Sequence, residues 1–413
     1  MLDFKKISLF YNNCKNNIDE NTVRVLRNQG IYKACFSTDI INSTKNTFNL
    51  ELPEYKIYDQ GESYLCWIYA YISFIKPLIC KKLNIADEKL DLSINYIHFF
   101  DRLEKSNSLY EEIIHNSQKY KNKIDEKLID NYIHSCGSFD NAKEIIQKYG
   151  IVPESKMPMN ANNYEPFVFD KLFKEKVKRD ILEILKNNDV NNQERLKDKY
   201  LEENYVILSK VFGKPPVSFN FTYQDTSKKE IQFNNISPIE FLEFCSLDYL
   251  DDFIFIMNDN SKEFYKTYPY NDFEQNYKNK HYFYNLPVNV IKSSIIKQLE
   301  AGIPVWFGCD FTAVCGSYTN KVGILDSNLF SLNSILGIEI IPKTEQEKFI
   351  RCNYHHAMII VGAQIEDGKI IRWKVQNSFG KSNNQNGYFV MNDNYFDEYC
   401  VMFGINKKYI ENN

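Results

Sequence analysis

The sequence predicts an α+β protein, with helices gathered in its first half and strands in its second. Three observations carry that expectation. A mostly apolar stretch of helical length, SYLCWIYAYISFIKPLICKKL, runs from Ser63 to Leu83. Residues 165–210 are rich in Lys, Glu and Leu and read as one or two exposed helices. After Gly302-Ile303-Pro304, the segments VWFGC, HAMIIVGAQ, IIRWKVQNSF and GYFVMN are short, β-branched or aromatic, and separated by turn residues, as strands are. These strands are expected to form a partly closed, barrel-like sheet.

Taken in order, helical periodicity begins at Asn21–Gln29. In the Ser63–Leu83 stretch, Pro77 is expected to kink or locally open the helix, because proline removes a donor and crowds the preceding turn. Asp91–Lys105 reads as a second helix, capped by Asp91 or Ser93, with Ile94, Ile97, His98 and Leu103 on one face. Asp140–Tyr149 is a short amphipathic helix stopped by Gly150 and Pro153. The GKPP run at Gly213–Pro216 ends the Lys/Glu-rich helices. Beyond it, FNFTYQ, IQFNN and FIFIM are strand-like, and Ile291–Ala301 is helical again. There is no internal repeat and no long low-complexity linker.

With 50 basic and 54 acidic residues among 413, the formal charge is −4. Nothing in that balance would neutralise phosphates, so a nucleic-acid partner is not expected. No apolar run approaches a membrane span, and MLDFKKISLFYNNCK lacks the features of a signal peptide. The expectation is a cytoplasmic protein whose 10 scattered cysteines are reduced, most of them small buried hydrophobes.

One of those cysteines has telling neighbours. Cys66 falls at the expected start of the long helix, with Ser63 as its cap. A helix N-terminus offers partial positive charge and free N–H donors, which favour a thiolate. Gln60, six positions earlier across Gly61, could join the Cys66 N–H in an oxyanion hole. His356 directly precedes an apolar strand, where a general base would be held rigidly. Asn377, in VQNSFG, could accept from the imidazole's second nitrogen and fix its tautomer, with Phe379 covering that bond. A metal reading of His355, His356 and Cys352 is disfavoured, because adjacent histidines on a strand point to opposite faces. No metal or cofactor is therefore expected. His98, His115, His134 and His281 show no partner pattern.

Together, QGESYLCWIYA, HHAMIIVGA and VQNSFG resemble the papain-like cysteine peptidases, and more closely their bleomycin hydrolase / aminopeptidase C branch. That branch carries a Gln, then Gly-Arg-Cys-Trp, a later His-Ala-Met, and Glu-Asn-Ser-Trp-Gly. The likeness extends through LSINYIHFFDRLEKSN, CGSFDNAKEIIQKYGIVPESKMP (similar to the family's Gly-Gly-Gln-Trp segment), GKPPVSFNFTY, GIPVWFGCDF and GYFVMNDNYFDEY. It covers about residue 20 to about residue 408 in the same order. The resemblance implies Cys66 as nucleophile, His356 as general base and acid, Asn377 as orienter and Gln60 as oxyanion donor. It also implies peptide substrates and a homohexamer with inward-facing sites.

Cys66 and His356 stand 290 positions apart, about twice the separation in simple papain-like enzymes. The expected organisation is therefore an N-terminal arm and helical half over residues 1–155, an insertion of helical and hook-like parts over 156–285, and a β-rich half over 286–413. The sequence departs from the family at Tyr64-Leu65, which replace Gly-Arg, at Gln376, which replaces Glu, and at Phe379, which replaces Trp. Tyr64, Leu65, Trp67 and Phe379 are expected to shape the cleft. Family members continue into an apolar arm whose terminal carboxylate holds the substrate's amino group. Here FDEYCVMFGINKKYIENN ends the sequence, so a more open cleft with endopeptidase activity is expected beside the family's aminopeptidase activity. A catalytically inactive peptide-binding protein on the same fold is the alternative; Tyr64 blocking the cleft, or His356 far from Cys66, would favour it.

Overall fold

The long helix spans Cys66–Leu83 and is buried on nearly every side. Its residues are apolar around the whole circumference, so it belongs inside the molecule rather than on its surface. It continues through Pro77 to Leu83, where a kink or a local opening had been expected, and the helix does not open there. The computed structural model describes residues 2–245, 248–270, 281–311, 321–339, 341–346, 356–381 and 385–411. His355, Cys352, Asn412 and Asn413 lie outside the described residues, and with them the metal reading of His355 and the terminal carboxylate.

Helix Ile94–His115 starts at Ser93, whose Oγ accepts from the Tyr96 N–H at 3.0 Å. It runs ten residues past the expected end at Lys105. The polar run there looked like a stop but is internal. Lys105 is fully buried and pairs with the equally buried Asp101 one turn back at 2.8 Å. Arg102 beside them reaches His98, Ser135 and Asp170. The expected exposed helices are Pro166–Leu185 and Val190–Phe212, the second ending at Gly213, whose φ of +97° suits glycine. Both pack against Ile94–His115.

One sheet holds ten strands. Its path runs Lys266–Pro269, Tyr282–Asn285, Phe253–Met257, Cys400–Asn406, Val305–Cys309, His356–Glu366, Lys369–Gln376, Tyr388–Asn392, Ile324–Leu325, with Leu50–Glu51 pairing onto His356–Glu366. Pairing is antiparallel except at Phe253–Met257 with Tyr282–Asn285 and at Tyr388–Asn392 with Ile324–Leu325. Among the described residues the path stays open from edge to edge, so the sheet is not a closed barrel. Strands from the expected 156–285 insertion continue the same sheet as the C-terminal half. A separate two-stranded hairpin pairs Phe219–Gln224 with Glu230–Ile236.

Helix Cys66–Leu83 packs across strands His356–Glu366 and Val305–Cys309. Trp67, Phe74, Phe139 and Trp306 fill the junction, with Phe139 and Trp306 ring centroids 5.6 Å apart. The helical half and the sheet thus meet at the first turn of that helix.

Candidate active site

Cys66 is the first residue of its helix. Leu65, not Ser63, is the N-cap, and no side chain caps this end among the described residues. The Leu65 carbonyl accepts from Ile68 and Tyr69, which leaves the N–H groups of Cys66 and Trp67 without a carbonyl partner in their own helix. Ser63 is buried with its Oγ unpartnered among the described residues. The expected cap is absent because the chain turns sharply between Ser63 and the helix: Tyr64 adopts φ +58°.

The thiol opens on a cleft of roughly 760 Å³, also lined by Gln60, His356, Phe379, Trp67 and Tyr64. Burial pushes the Cys66 thiol up to about 12, while the backbone N–H groups of Ala357 and Trp67 pull the other way. The helix N-terminus had been expected to favour a thiolate. Its field contributes about 0.3–1 kcal/mol, whereas a rise from 9.0 to about 12 corresponds to roughly 4 kcal/mol. Burial therefore outweighs the helix end in its pull on the thiol.

His356 begins its strand, is 5% exposed, and has its Nε2 2.7 Å from Asn377 Oδ1. An amide oxygen only accepts, so Nε2 carries the proton and Nδ1 keeps its lone pair. Burial holds the imidazole down to about 4, with the Asn377 bond raising it in part. Phe379 stacks on the ring at 4.7 Å and 21°, and Phe311 lies 5.0 Å away on another side. Asn377 Oδ1 also accepts from the Ser378 N–H at 2.7 Å, and its own N–H bonds the Gly387 carbonyl at 3.1 Å.

Gln60 belongs to a short stretch that pairs with the residues after Asn377. Its N–H meets the Ser378 carbonyl at 2.7 Å, and the Gly380 N–H meets the Tyr58 carbonyl at 2.9 Å. The Ser378 hydroxyl donates to Gln60 Oε1 at 2.6 Å. That bond orients the amide and leaves Nε2 as its donor toward the cleft. One backbone pairing therefore registers Gln60 against Asn377.

Of the expected cleft-shaping residues, Tyr64, Trp67 and Phe379 line the cavity. Leu65 turns inward, is fully buried, and does not line it. Ser378, Phe311, Cys136 and Gly137 were not singled out from the sequence. Ser378 sat within VQNSFG and Cys136-Gly137 within CGSF, so a motif-wide reading could have reached them. No His/Cys/Asp/Glu cluster fit for a metal exists among the described residues, and no described helix is long and apolar enough to cross a membrane. The eight cysteines among the described residues carry free thiols.

Comparisons with known proteins identify the family and the fold. The sequence model of the Peptidase C1-like family matches residues 1–413. Aminopeptidase E of Lactobacillus helveticus is 28% identical over 99% of this chain and 93% of its own length. Bleomycin hydrolase of Gallus gallus is 27% identical over 92% of this chain and 86% of its own length. The crystal structure of PepW from Lactobacillus rhamnosis HN001 superposes with a TM-score of 0.91 at 28% identity, covering 100% of this chain and 93% of that one. The chain thus belongs to the Peptidase C1-like family, in its bleomycin hydrolase / aminopeptidase C branch, and is a cysteine-type peptidase.

Proposed function

We propose that Cys66, His356 and Asn377 form the catalytic triad, with Gln60 as oxyanion donor, and that the enzyme hydrolyses short or unfolded peptides. The observation that carries this reading is the 2.7 Å bond from His356 Nε2 to Asn377 Oδ1, which leaves Nδ1 as the acceptor in the cleft shared with Cys66. The Ala357 backbone, which directly follows His356, lowers the Cys66 thiol's pKa and supports it.

The mechanism follows from the protonation states. With both groups neutral at rest, His356 Nδ1 takes the thiol proton as Sγ attacks the peptide carbonyl carbon. The C–S bond forms and the carbonyl electron pair moves to oxygen, which the Gln60 amide and the Cys66 N–H receive. The tetrahedral centre collapses, the C–N bond breaks, and the imidazolium gives its proton to the leaving amine. Water, deprotonated by His356, then attacks the thioester and releases the acid and the thiol. The burial that raises the thiol's pKa also strengthens these hydrogen bonds once substrate fills the cleft.

Aminopeptidase action is the reading that the names of the relatives support. Endopeptidase action is the other reading, and cleavage of a peptide that lacks a free amine would support it. The inactive-scaffold alternative gains no support, since Tyr64 stands at the rim and His356 and Cys66 share one cavity. A peptide and its N-acetylated twin, each incubated with the enzyme and with Cys66→Ala, test both parts. Turnover of either twin that disappears in Cys66→Ala is expected. Turnover of the free peptide alone assigns aminopeptidase action, whereas turnover that persists in Cys66→Ala overturns the proposal.

A further inference from the structure

Tyr64 holds a backbone conformation that its own side chain disfavours. Its φ of +58° lies in the left-handed region, where a bulky residue is an outlier. Such strain persists only when the surroundings impose it. Here Ser63 and Leu65, its two neighbours, are both fully buried and fix the chain on either side. Tyr64 itself is 47% exposed. It packs edge-on against Phe167, with centroids 5.1 Å apart and planes at 70°.

Tyr64 and Cys136 each line two cavities: the catalytic cleft and an adjoining space of roughly 630 Å³ beside Pro166 and Phe167. They form the partition between the two. Gly137, next to Cys136, has no room for a side chain, because a Cβ there would lie 2.6 Å from the Trp67 ring. The wall on this side is therefore closely packed.

The chemistry decides which half of a substrate meets that wall. His356 must pass its proton to the leaving nitrogen, so the leaving half lies toward His356, Phe311 and Phe379. The carbonyl oxygen lies toward Gln60 and the Cys66 N–H. Tyr64 and Cys136 line the cleft without serving either role, so the residue that donates the acyl group is assigned to their part of it. A ring whose Cβ direction is set by φ and whose rotation is limited by Phe167 cannot withdraw for a large side chain.

We infer that Tyr64 sets specificity on the acyl side of the scissile bond, admitting small residues such as glycine, alanine and serine and turning away bulky ones. This rests on the triad reading given above. It is a property of this chain's departure at residue 64 and names the substrate class as peptides with a small acyl residue.

The test measures kcat/KM for aminoacyl-aminomethylcoumarins bearing Gly, Ala, Leu or Phe, each with a free and an acetylated amine. Wild type, Tyr64→Gly and Phe167→Ala are compared. Glycine suits φ +58°, so Tyr64→Gly relieves strain, and Phe167 is 66% exposed, so its loss leaves the core intact. The wild type is expected to favour Ala over Phe by about tenfold or more, a discrimination within reach of one pocket wall. Tyr64→Gly is expected to bring that ratio near unity, and Phe167→Ala to lower it part of the way. A wild-type preference for Phe, or a ratio unchanged in Tyr64→Gly, overturns the inference. Turnover of the alanine substrate with an unchanged ratio removes the role of Tyr64 and leaves the triad standing. Absence of turnover in every protein overturns both.

Discussion

Asn377 holds His356 through one hydrogen bond, and the pH behaviour of the site follows from it. An imidazole in the unfolded chain titrates near 6.5, whereas burial holds His356 down to about 4. Between those values the unfolded chain binds the extra proton. The contribution to stability is therefore complete above about pH 6.5 and is lost as pH falls toward 4, on the order of 3 kcal/mol. The base stays neutral over the same window, so kcat/KM should hold until the pH nears 4; an acid limb at the ordinary histidine value would contradict the burial argument. Asn377→Ala removes the bond that raises the imidazole's pKa. It should move that limb lower and reduce kcat on the order of 10²-fold, which a pH–rate series measures. Gln60→Ala should reduce kcat by about 10²–10³-fold with little change in folding. Ser378→Ala should give a smaller fall, because it only frees the amide to rotate; steady-state kinetics on the pair checks the order. The identities of Cys66, Gln60, His356 and Asn377 were legible because each sits in a short motif. The upward pull on the thiol was not, since it depends on burial that forms only when the sheet closes over the helix start. Nor was the Ser378–Gln60 bond, which joins residues 318 positions apart.

At the scale of elements, the cleft wall is pinned from behind. Lys105, inside helix Ile94–His115, donates to the carbonyls of His134 and Cys136 at 3.0 and 2.6 Å, and its Nζ lies 5.7 Å from the Trp67 ring centroid. The Trp67 indole N–H in turn bonds the Ser135 carbonyl at 2.8 Å. Burial lowers the Lys105 pKa against the opposing pull of Asp101. Lys105→Met would remove the charge partner of a buried carboxylate and the donor to two carbonyls, and should cost about 3–5 kcal/mol. Replacing both partners, as Asp101→Leu with Lys105→Met, should restore much of that loss. Thermal unfolding of the two variants distinguishes a pinned pair from an incidental one; equal destabilisation would contradict the pairing. This network also explains why the helix outran its expected end. Polar residues at 101, 102, 105 and 106 mimic a solvent-facing stop in a linear sequence, and only the fold reveals that they satisfy one another inside. The long helix through Cys66 was legible because its apolar length leaves no alternative, while its cap was misplaced by the left-handed turn at Tyr64.

On the scale of the whole molecule, the order of helices then strands gave the α+β class directly. The openness of the sheet depends on pairings between distant segments, such as Phe253–Met257 with Cys400–Asn406, that no local pattern encodes. The homohexamer implied by the family resemblance is a proposal, supported by exposed apolar side chains on the N-terminal helices, among them Phe4, Leu9 and Tyr11. Sedimentation equilibrium should give six times the monomer mass, and a monomer at micromolar concentration would contradict it. The central claim is that the two halves meet to make a thiol nucleophile of Cys66. The measurement that tests it most directly is mass spectrometry of enzyme quenched with acid during turnover of a slow ester or anilide. The account predicts an acyl adduct on the peptide that contains Cys66, absent in Cys66→Ala and depleted in His356→Ala. Turnover with no adduct on Cys66, or an adduct on another cysteine, would contradict it.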